Sequence, residues 1–540
     1  MGTYLNPGNS GFERIVSSDY VDKTGLISLI NGTIGTTKSL TCISRPRRFG
    51  KSYAAKMLCA YYDKTCDSHD LFDRYEISGD ESYEKHINRY HVINLDISGF
   101  ISFAKSSEKP IRNVPKDIDK ALLQEVRSVC PELKEKNNLN ECLLELVRNT
   151  QTKIIFIIDE WDSMIREAKD DPEAQEIYLN LLRGWFKNNN FTPEAVAAAY
   201  MTGILPIKKD GSQSAISDFQ EYSVLEPLQF AKYVGFTEEE VRMQCEKMHK
   251  SFESMKKWYD GYTVGNCHSI YNPYSVMQAL ESGKYKSYWK KTSAAETLMT
   301  YIDMDQDGLQ DDIARLIAGE TIVVDTDFFR NDIETFTSKD DVLTLLIHLG
   351  YLTYEEVSES YDENDEQLTG LAHIPNEEVR SEFEKILRKA KHKELIRLVQ
   401  KSDRLLQDTI EGNENAVACA IQDVHDSEYA PNFYNNEQSL RYVIKMAYLS
   451  CVDQYAKVEE LPSGHGLADV VFLPNRRSSL PAMIIELKWN KSEEGAIRQI
   501  LDKNYPKILE QFGGKILLAG INYDEETKKH SCKIVCHQKV

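Results

Sequence analysis

Four short apolar runs constrain the fold of this chain more than any other feature: SLTCIS (39–44), HVINLDI (91–97), KIIFIID (153–159) and AAAYMTG (197–203). Their hydrophobicity is continuous where a half-exposed strand would alternate, so both faces of each must be buried. The segments between them are helix-like. Together these features predict a parallel sheet with crossover helices, an α/β core over the first half of the chain. From about 235 to 400 the signal turns helical. GFTEEEVRMQCEKM places Thr237 and Glu240 at capping-box spacing, with Glu238 and Glu239 suited to a helix's first turn. An acidic stretch, EEVSESYDENDEQ (355–367), and a polar break, EGNEN (411–415), interrupt this region. From 436 the pattern reads helix (436–451), strands (455–460, 467–473, 482–488), helix (493–512) and strands (514–521, 531–537), an αβββαβ order with one further strand.

These readings set the expected domains: a core over 1–235, a helical or winged lid region over 236–400, a linker or seam over 401–430, and a C-terminal domain over 431–540. A chain of 540 residues is too long for one compact core, which agrees with several domains. Its 65 basic and 85 acidic residues give a net charge of −20, which disfavours nonspecific coating of nucleic acid or an anionic membrane. Any nucleic-acid contact must therefore be local. The eleven cysteines are scattered and lack a CxxC pair, the pattern of reduced thiols. The start, MGTYLNPGNSGF, has neither a basic nor an apolar leader region, and no apolar run reaches spanning length. The chain reads as cytoplasmic, with no membrane partner.

Two motifs carry chemistry. In CISRPRRFGKS, Gly50, Lys51 and Ser52 supply the end of a phosphate-binding loop between an apolar strand and a helix: backbone N–H groups, a lysine for the β- and γ-phosphates and a hydroxyl for Mg²⁺. Arg45 stands where that loop opens with glycine, so the turn must be made differently, with help from Pro46. The run KIIFIIDEWD adds acidic groups at a strand's C-terminal end, Asp159 for the metal and Glu160 for the attacking water. The alternative is a helix-capping pair beside an ordinary loop.

The second motif is GLADVVFLPNRRSSLPAMIIELKWN. Strand alternation puts Glu486 and Lys488 on one face. A hairpin centred between Arg477 and Ser478 sets Asp469 opposite Glu486. Two carboxylates that can hold Mg²⁺ and a lysine that can orient water suit metal-assisted phosphodiester hydrolysis. Glu437 on the preceding helix could complete the metal shell, and Gln499 on the following helix could position water or phosphate. The alternative is a cross-face charge pair on a surface strand.

The first region resembles the AAA-ATPase-like family, on RPRRFGKS, YVDKTGLI (20–27), MTGILPI (201–207), YDGY (259–262), YNPYS (271–275) and LGYLT (349–353). The resemblance spans most of 10–380 and implies an ATP site built from Arg45, Pro46, Arg47, Arg48, Phe49, Gly50, Lys51 and Ser52. Asp159 would assist it and Thr202 would be a polar sensor. Arg45, Arg47 and Arg48 could meet phosphates or a neighbouring subunit, which leaves a homo-oligomer open. Residues 430–540 resemble the PD-(D/E)XK nuclease superfamily, on NEQSLRYVI, the D…ExK core, AIRQI and KNYP. That likeness implies a catalytic core of Asp469, Glu486 and Lys488, with Glu437 and Gln499 accessory and nucleic acid as partner. The arginine that often precedes the aspartate in related sequences is missing from GHGLAD; His465 or Arg441 could stand in. The expectation is an ATP-controlled, Mg²⁺-dependent nuclease acting on DNA or RNA. Its rivals are a nucleotide-switched signalling or scaffold protein that binds without cutting, and an ATPase that remodels a protein client.

Overall fold

The structure, a computed structural model, describes residues 2–207, 216–289, 309–317, 319–327, 329, 336, 338–356, 369–389, 393–426, 440–441, 443–444, 447–448, 455–463, 466–474, 480–503, 509 and 515–537. The chain forms two compact units, Met1–Glu296 with Val323–Ser381, and Thr297–Ile322 with Glu382–Val540.

In the first unit the four apolar runs become β1 (Leu40–Ser44), β2 (His91–Asp96), β3 (Ile154–Asp159) and β4 (Val196–Gly203), joined by β5 (Gln220–Tyr222). The sheet order is β2-β3-β4-β1-β5, parallel throughout. Every residue of β1, β3 and β4 is buried, as continuous hydrophobicity requires. The C-terminal ends of β1, β3 and β4 lie side by side, so the loop after Ser44, the pair after Ile158 and Thr202 converge. Further along, Thr237 and Glu240 close the capping box expected of them. Besides helices, this region contains a hairpin of β6 (Tyr262–Val264) and β7 (Cys267–Ile270). It also contains a three-stranded sheet of β8 (Ile322–Asp325), β9 (Thr353–Glu356) and β10 (Thr369–His373), in the order β8-β10-β9. Most of the acidic stretch, 357–367, lies outside the described residues.

His91, at the start of β2, shows how this unit holds a buried polar group. Asn6 donates to its Nδ1 at 3.1 Å, and its Nε2 lies 2.9 Å from Thr150 Oγ1, which in turn donates to the Leu146 carbonyl. That chain fixes the neutral ring with its proton on Nε2. Burial pushes the pKa down to about 4. An unfolded histidine takes up its proton near pH 6.5, so below that pH the unfolded state binds more protons and stability falls as pH falls. Urea denaturation should show roughly 2 kcal/mol less stability from this residue at pH 5 than at pH 7, and His91→Phe should remove that part of the slope.

In the second unit β11 (Tyr455–Ser463), β12 (Gly466–Pro474), β13 (Ala482–Trp489), β14 (Ile516–Asp524) and β15 (Lys529–His537) form one sheet in chain order. Only β13 and β14 are parallel, because the helix Glu493–Asp502 crosses between them. This helix ends ten residues before the expected 512. Residues 401–411 and 414–425 of the expected seam are helical, within Lys393–Glu411 and Glu414–His425. Within the polar stretch at 411–415, Gly412 and Asn413 make the turn between them, with Gly412 at φ +80°. No helix among the described residues is long and apolar enough to cross a membrane.

Gly520, paired with Glu486 across β13 and β14, lets the crossover helix approach the sheet. A Cβ there would clash with the Glu493 carbonyl oxygen and meet Ala496 Cβ at 2.9 Å. Because the first obstacle is backbone, Gly520→Ala should lower unfolding free energy in urea by about 1–3 kcal/mol.

Candidate functional site

The phosphate-binding loop leaves β1 at Ser44 and enters the helix Lys51–Tyr62 through Gly50, at φ +93°. Arg48 is also left-handed, at φ +69°. The arginine in the first-glycine position is structural. Arg45 is fully buried, and its guanidinium donates to the carbonyls of Ser44 (2.9 Å), Tyr222 (2.9 Å) and Ser223 (2.7 Å). Burial lowers its pKa to about 10. A side chain spent on strand-end carbonyls is turned away from a ligand, so the expected phosphate contact does not fit Arg45. The turn is held from outside as well. Gly350 lies so close to Pro46 that a Cβ on it would sit 2.7 Å from the proline ring. Asn272 donates to the Arg47 carbonyl, and Arg48 donates to the Tyr288 carbonyl at 2.8 Å while lying 4.3 Å from the Tyr274 ring. Phe49 packs edge-on against Tyr262. The aromatic segment 258–275 therefore clamps the loop that a glycine turn would otherwise shape.

Lys51 Nζ is buried and donates to the carbonyls of Arg45 (3.0 Å) and Pro46 (2.8 Å). Burial lowers its pKa to about 8, against the opposing pull of Asp159, Glu160 and Asp162. The Thr202 hydroxyl donates to Asp159 Oδ1, and the Glu160 N–H reaches both partners. Glu160 is left-handed, at φ +51°. Its carboxylate accepts from Ser163 Oγ (3.1 Å) and Arg166 (3.4 Å). A cavity of about 800 Å³ opens here, within the range of small-molecule sites. Arg47, Arg48, Phe49, Gly50, Lys51, Ser52 and Glu160 line it; Arg45, Pro46, Asp159 and Thr202 are buried and do not line it. Tyr20, Val21 and Phe236 give one side an aromatic and apolar character suited to a nucleotide base.

The second site lies on the face of the second unit's sheet that meets the crossover helix. Val470–Phe472 pair with Ile485–Met483, the register that sets Asp469 against Glu486. Asp469 Oδ2 accepts from the Leu487 N–H at 2.9 Å, and its Oδ1 accepts from Arg441 at 2.9 Å. Arg441 thus stands beside the aspartate whose preceding arginine is missing from the sequence. Glu486 is 1% exposed; its Oε1 accepts from Lys488 Nζ (3.1 Å) and from Gln499 Nε2. Burial, reinforced by the Asp469 charge, pushes its pKa up to about 7. Glu486 Oε2 is buried with no hydrogen-bond partner among the described residues. An orphaned carboxylate oxygen beside a second carboxylate fits a hard divalent cation such as Mg²⁺. No third His, Cys, Asp or Glu joins them among the described residues, and Glu437 and His465 lie outside those residues. The structure thus brings Asp469, Glu486, Lys488 and Gln499 together.

Sequence reading passed over Arg166 and Asp162. Arg166 Nε donates to Asp162 Oδ2 at 2.9 Å, and that oxygen also accepts the N–H groups of Ile204 and Leu205. The available signal was the spacing of four between the two residues on a helix that starts beside Glu160.

Comparisons with known proteins address each unit separately. A family model described as predicted AAA-ATPase matches residues 7–212, and one described as PD-(D/E)XK nuclease superfamily matches residues 435–532. Among solved structures, the Aeropyrum pernix ORC2 protein, in ADPNP–ADP complexes, is 11% identical; the alignment covers 69% of this chain and 96% of that one, with a TM-score of 0.30. Cdc6p from Pyrobaculum aerophilum is also 11% identical, with 71% and 98% covered and a TM-score of 0.25. No curated protein matches the chain. Residues 7–212 therefore form an AAA-ATPase-like domain and residues 435–532 a domain of the PD-(D/E)XK nuclease superfamily, joined in one chain.

Proposed function

We propose that this protein is a nucleotide-controlled, divalent-metal-dependent nuclease acting on DNA or RNA. The observation that carries the reading is the buried Glu486, whose second oxygen has no hydrogen-bond partner among the described residues while Lys488 and Gln499 donate to its first and the Asp469 charge acts on it. Burying a carboxylate costs several kcal/mol unless it is paired or metal-bound, so a half-satisfied one points to a ligand. Asp469 and Glu486 would hold Mg²⁺, whose chemistry is to polarise a phosphodiester and acidify a bound water. Lys488, fixed by the Leu487 carbonyl at 2.8 Å, orients the water or offsets charge developing on the phosphate. Gln499 aligns the Glu486 carboxylate, and Glu437 is proposed to complete the shell. The half-buried Arg441–Asp469 pair is the observation that favours the rival reading, binding without cutting, since arginine there already supplies a counter-charge.

In the first unit, the N–H groups that open the helix at Lys51, with the Lys51 ammonium, would bind the phosphates of ATP. Ser52 and Asp159 would hold its Mg²⁺, Glu160 would take the attacking water, and Thr202 would report on Asp159. Arg45 and Pro46 shape the loop, while Arg47, Arg48 and Phe49 form its wall. We propose domain boundaries near 235, 400 and 430.

The test is cleavage of labelled single- and double-stranded DNA and RNA by the whole chain with Mg²⁺ or Mn²⁺, with and without ATP. Metal-dependent cutting that changes with ATP is the expected result. Binding with no cutting under any condition would establish the rival reading.

A further inference from the structure

Arg166 presents an arrangement that the phosphate-loop residues do not explain. Its side chain is only 13% exposed, yet it lines the same cavity as Lys51 and Ser52. One edge of the guanidinium is fixed: Nε meets Asp162 at 2.9 Å, and Asp162, 1% exposed, is tied by two backbone N–H bonds to the chain just past β4. The other edge is held less tightly. Its terminal nitrogen donates to Ser163 Oγ at 2.9 Å and reaches Glu160 Oε2 at 3.4 Å, beyond the usual length of an arginine–carboxylate bond.

The cavity wall here carries both signs, with Arg47, Lys51 and Arg166 beside Glu160 and Glu167 and with Asp162 behind Arg166. Three cations on one cavity wall repel one another, and each gains from an added anion between them. Glu160 answers part of this demand through its long contact with Arg166.

We infer that Arg166 contacts the terminal phosphate of a nucleoside triphosphate and, in turning to it, gives up Glu160, so that it sets the preference for triphosphate over diphosphate and frees the carboxylate that takes the attacking water. This deepens the nucleotide-site reading and rests on it. Asp162 keeps the guanidinium in place while its outer edge changes partner, so the exchange needs no movement of the helix. Because Asp162 is bonded to Ile204 and Leu205, Arg166 is also connected to the strand that carries Thr202.

The experiment is calorimetric titration of the whole chain with ADP and with a non-hydrolysable ATP analogue, in Mg²⁺, for the wild type and for Arg166→Gln, Arg166→Lys and Glu160→Gln. In Arg166→Gln the analogue should bind about tenfold more weakly while ADP stays within about twofold, as expected for a charge-assisted contact made only to the third phosphate. Arg166→Lys should recover part of that loss. Glu160→Gln, which removes the competing carboxylate, should tighten the analogue severalfold and leave ADP unchanged. This arm tests the inference even if Arg166→Gln folds poorly. Equal losses for the two nucleotides in Arg166→Gln, or an unchanged ratio in both Arg166→Gln and Glu160→Gln, would overturn it. Failure of the wild type to bind either nucleotide would overturn the nucleotide-site reading itself, and this inference with it.

Discussion

Glu486→Gln is expected to lower metal-dependent cleavage by a factor on the order of 10³ or more while making the protein more stable. The loss follows from the donor set: glutamine keeps the shape and the bond to Lys488 but removes the charge that a divalent cation requires. The gain follows from the pKa of about 7, well above the ordinary value of 4.5. In the unfolded chain Glu486 loses its proton near pH 4.5, whereas in the folded chain it keeps the proton until about pH 7. The folded state therefore binds more protons across that window, and stability falls as pH rises through it. Above pH 7 the full penalty applies, on the order of 3 kcal/mol before relaxation. Urea unfolding at pH 8 without metal should show the variant more stable by up to that amount, with the difference vanishing near pH 4. A variant that lost cleavage and also lost stability at pH 8 would instead identify Glu486 as a structural partner of Lys488.

Lys51→Ala should weaken nucleotide binding by about 10²-fold or more, because the ammonium is the concentrated positive charge at the head of the helix and charge-assisted contacts are the strong ones. In the structure it lines the cavity while bonded to the Arg45 and Pro46 carbonyls, bonds it exchanges for phosphate oxygens. The variant's cleavage should then be the same with and without ATP. If wild-type cleavage is itself indifferent to nucleotide, the two sites stand and the coupling between them falls. Fluorescent-nucleotide titration and the cleavage assay, run on the same preparations, read both outcomes.

Much of this architecture is legible in the sequence. Four continuous apolar runs gave four parallel strands, three of them buried at every residue because a strand covered on both faces has no reason to alternate, while β2 at the sheet edge leaves Asn94 half-buried and Asp96 exposed. The Thr237–Glu240 spacing gave a capping box, and the symmetric loop about Arg477 and Ser478 gave the register that sets Asp469 against Glu486. These features are local: a period of two, a period of 3.6 or a short loop is set by neighbours in the chain. The partners of the charged side chains were not legible in that way. Arg45 looked available for phosphate and is buried against the carbonyls of Tyr222 and Ser223, nearly 180 residues away. Arg441 reaches Asp469 across 28 positions, and Asp162 connects Arg166 to Ile204 and Leu205 across about 40. A charge takes whichever partner the packed chain brings within about 3 Å, and no periodicity records that choice. The chain's pattern thus determined which strands and motifs exist. Long-range packing decided which of the motif's cations face the cavity and which hold the loop in shape.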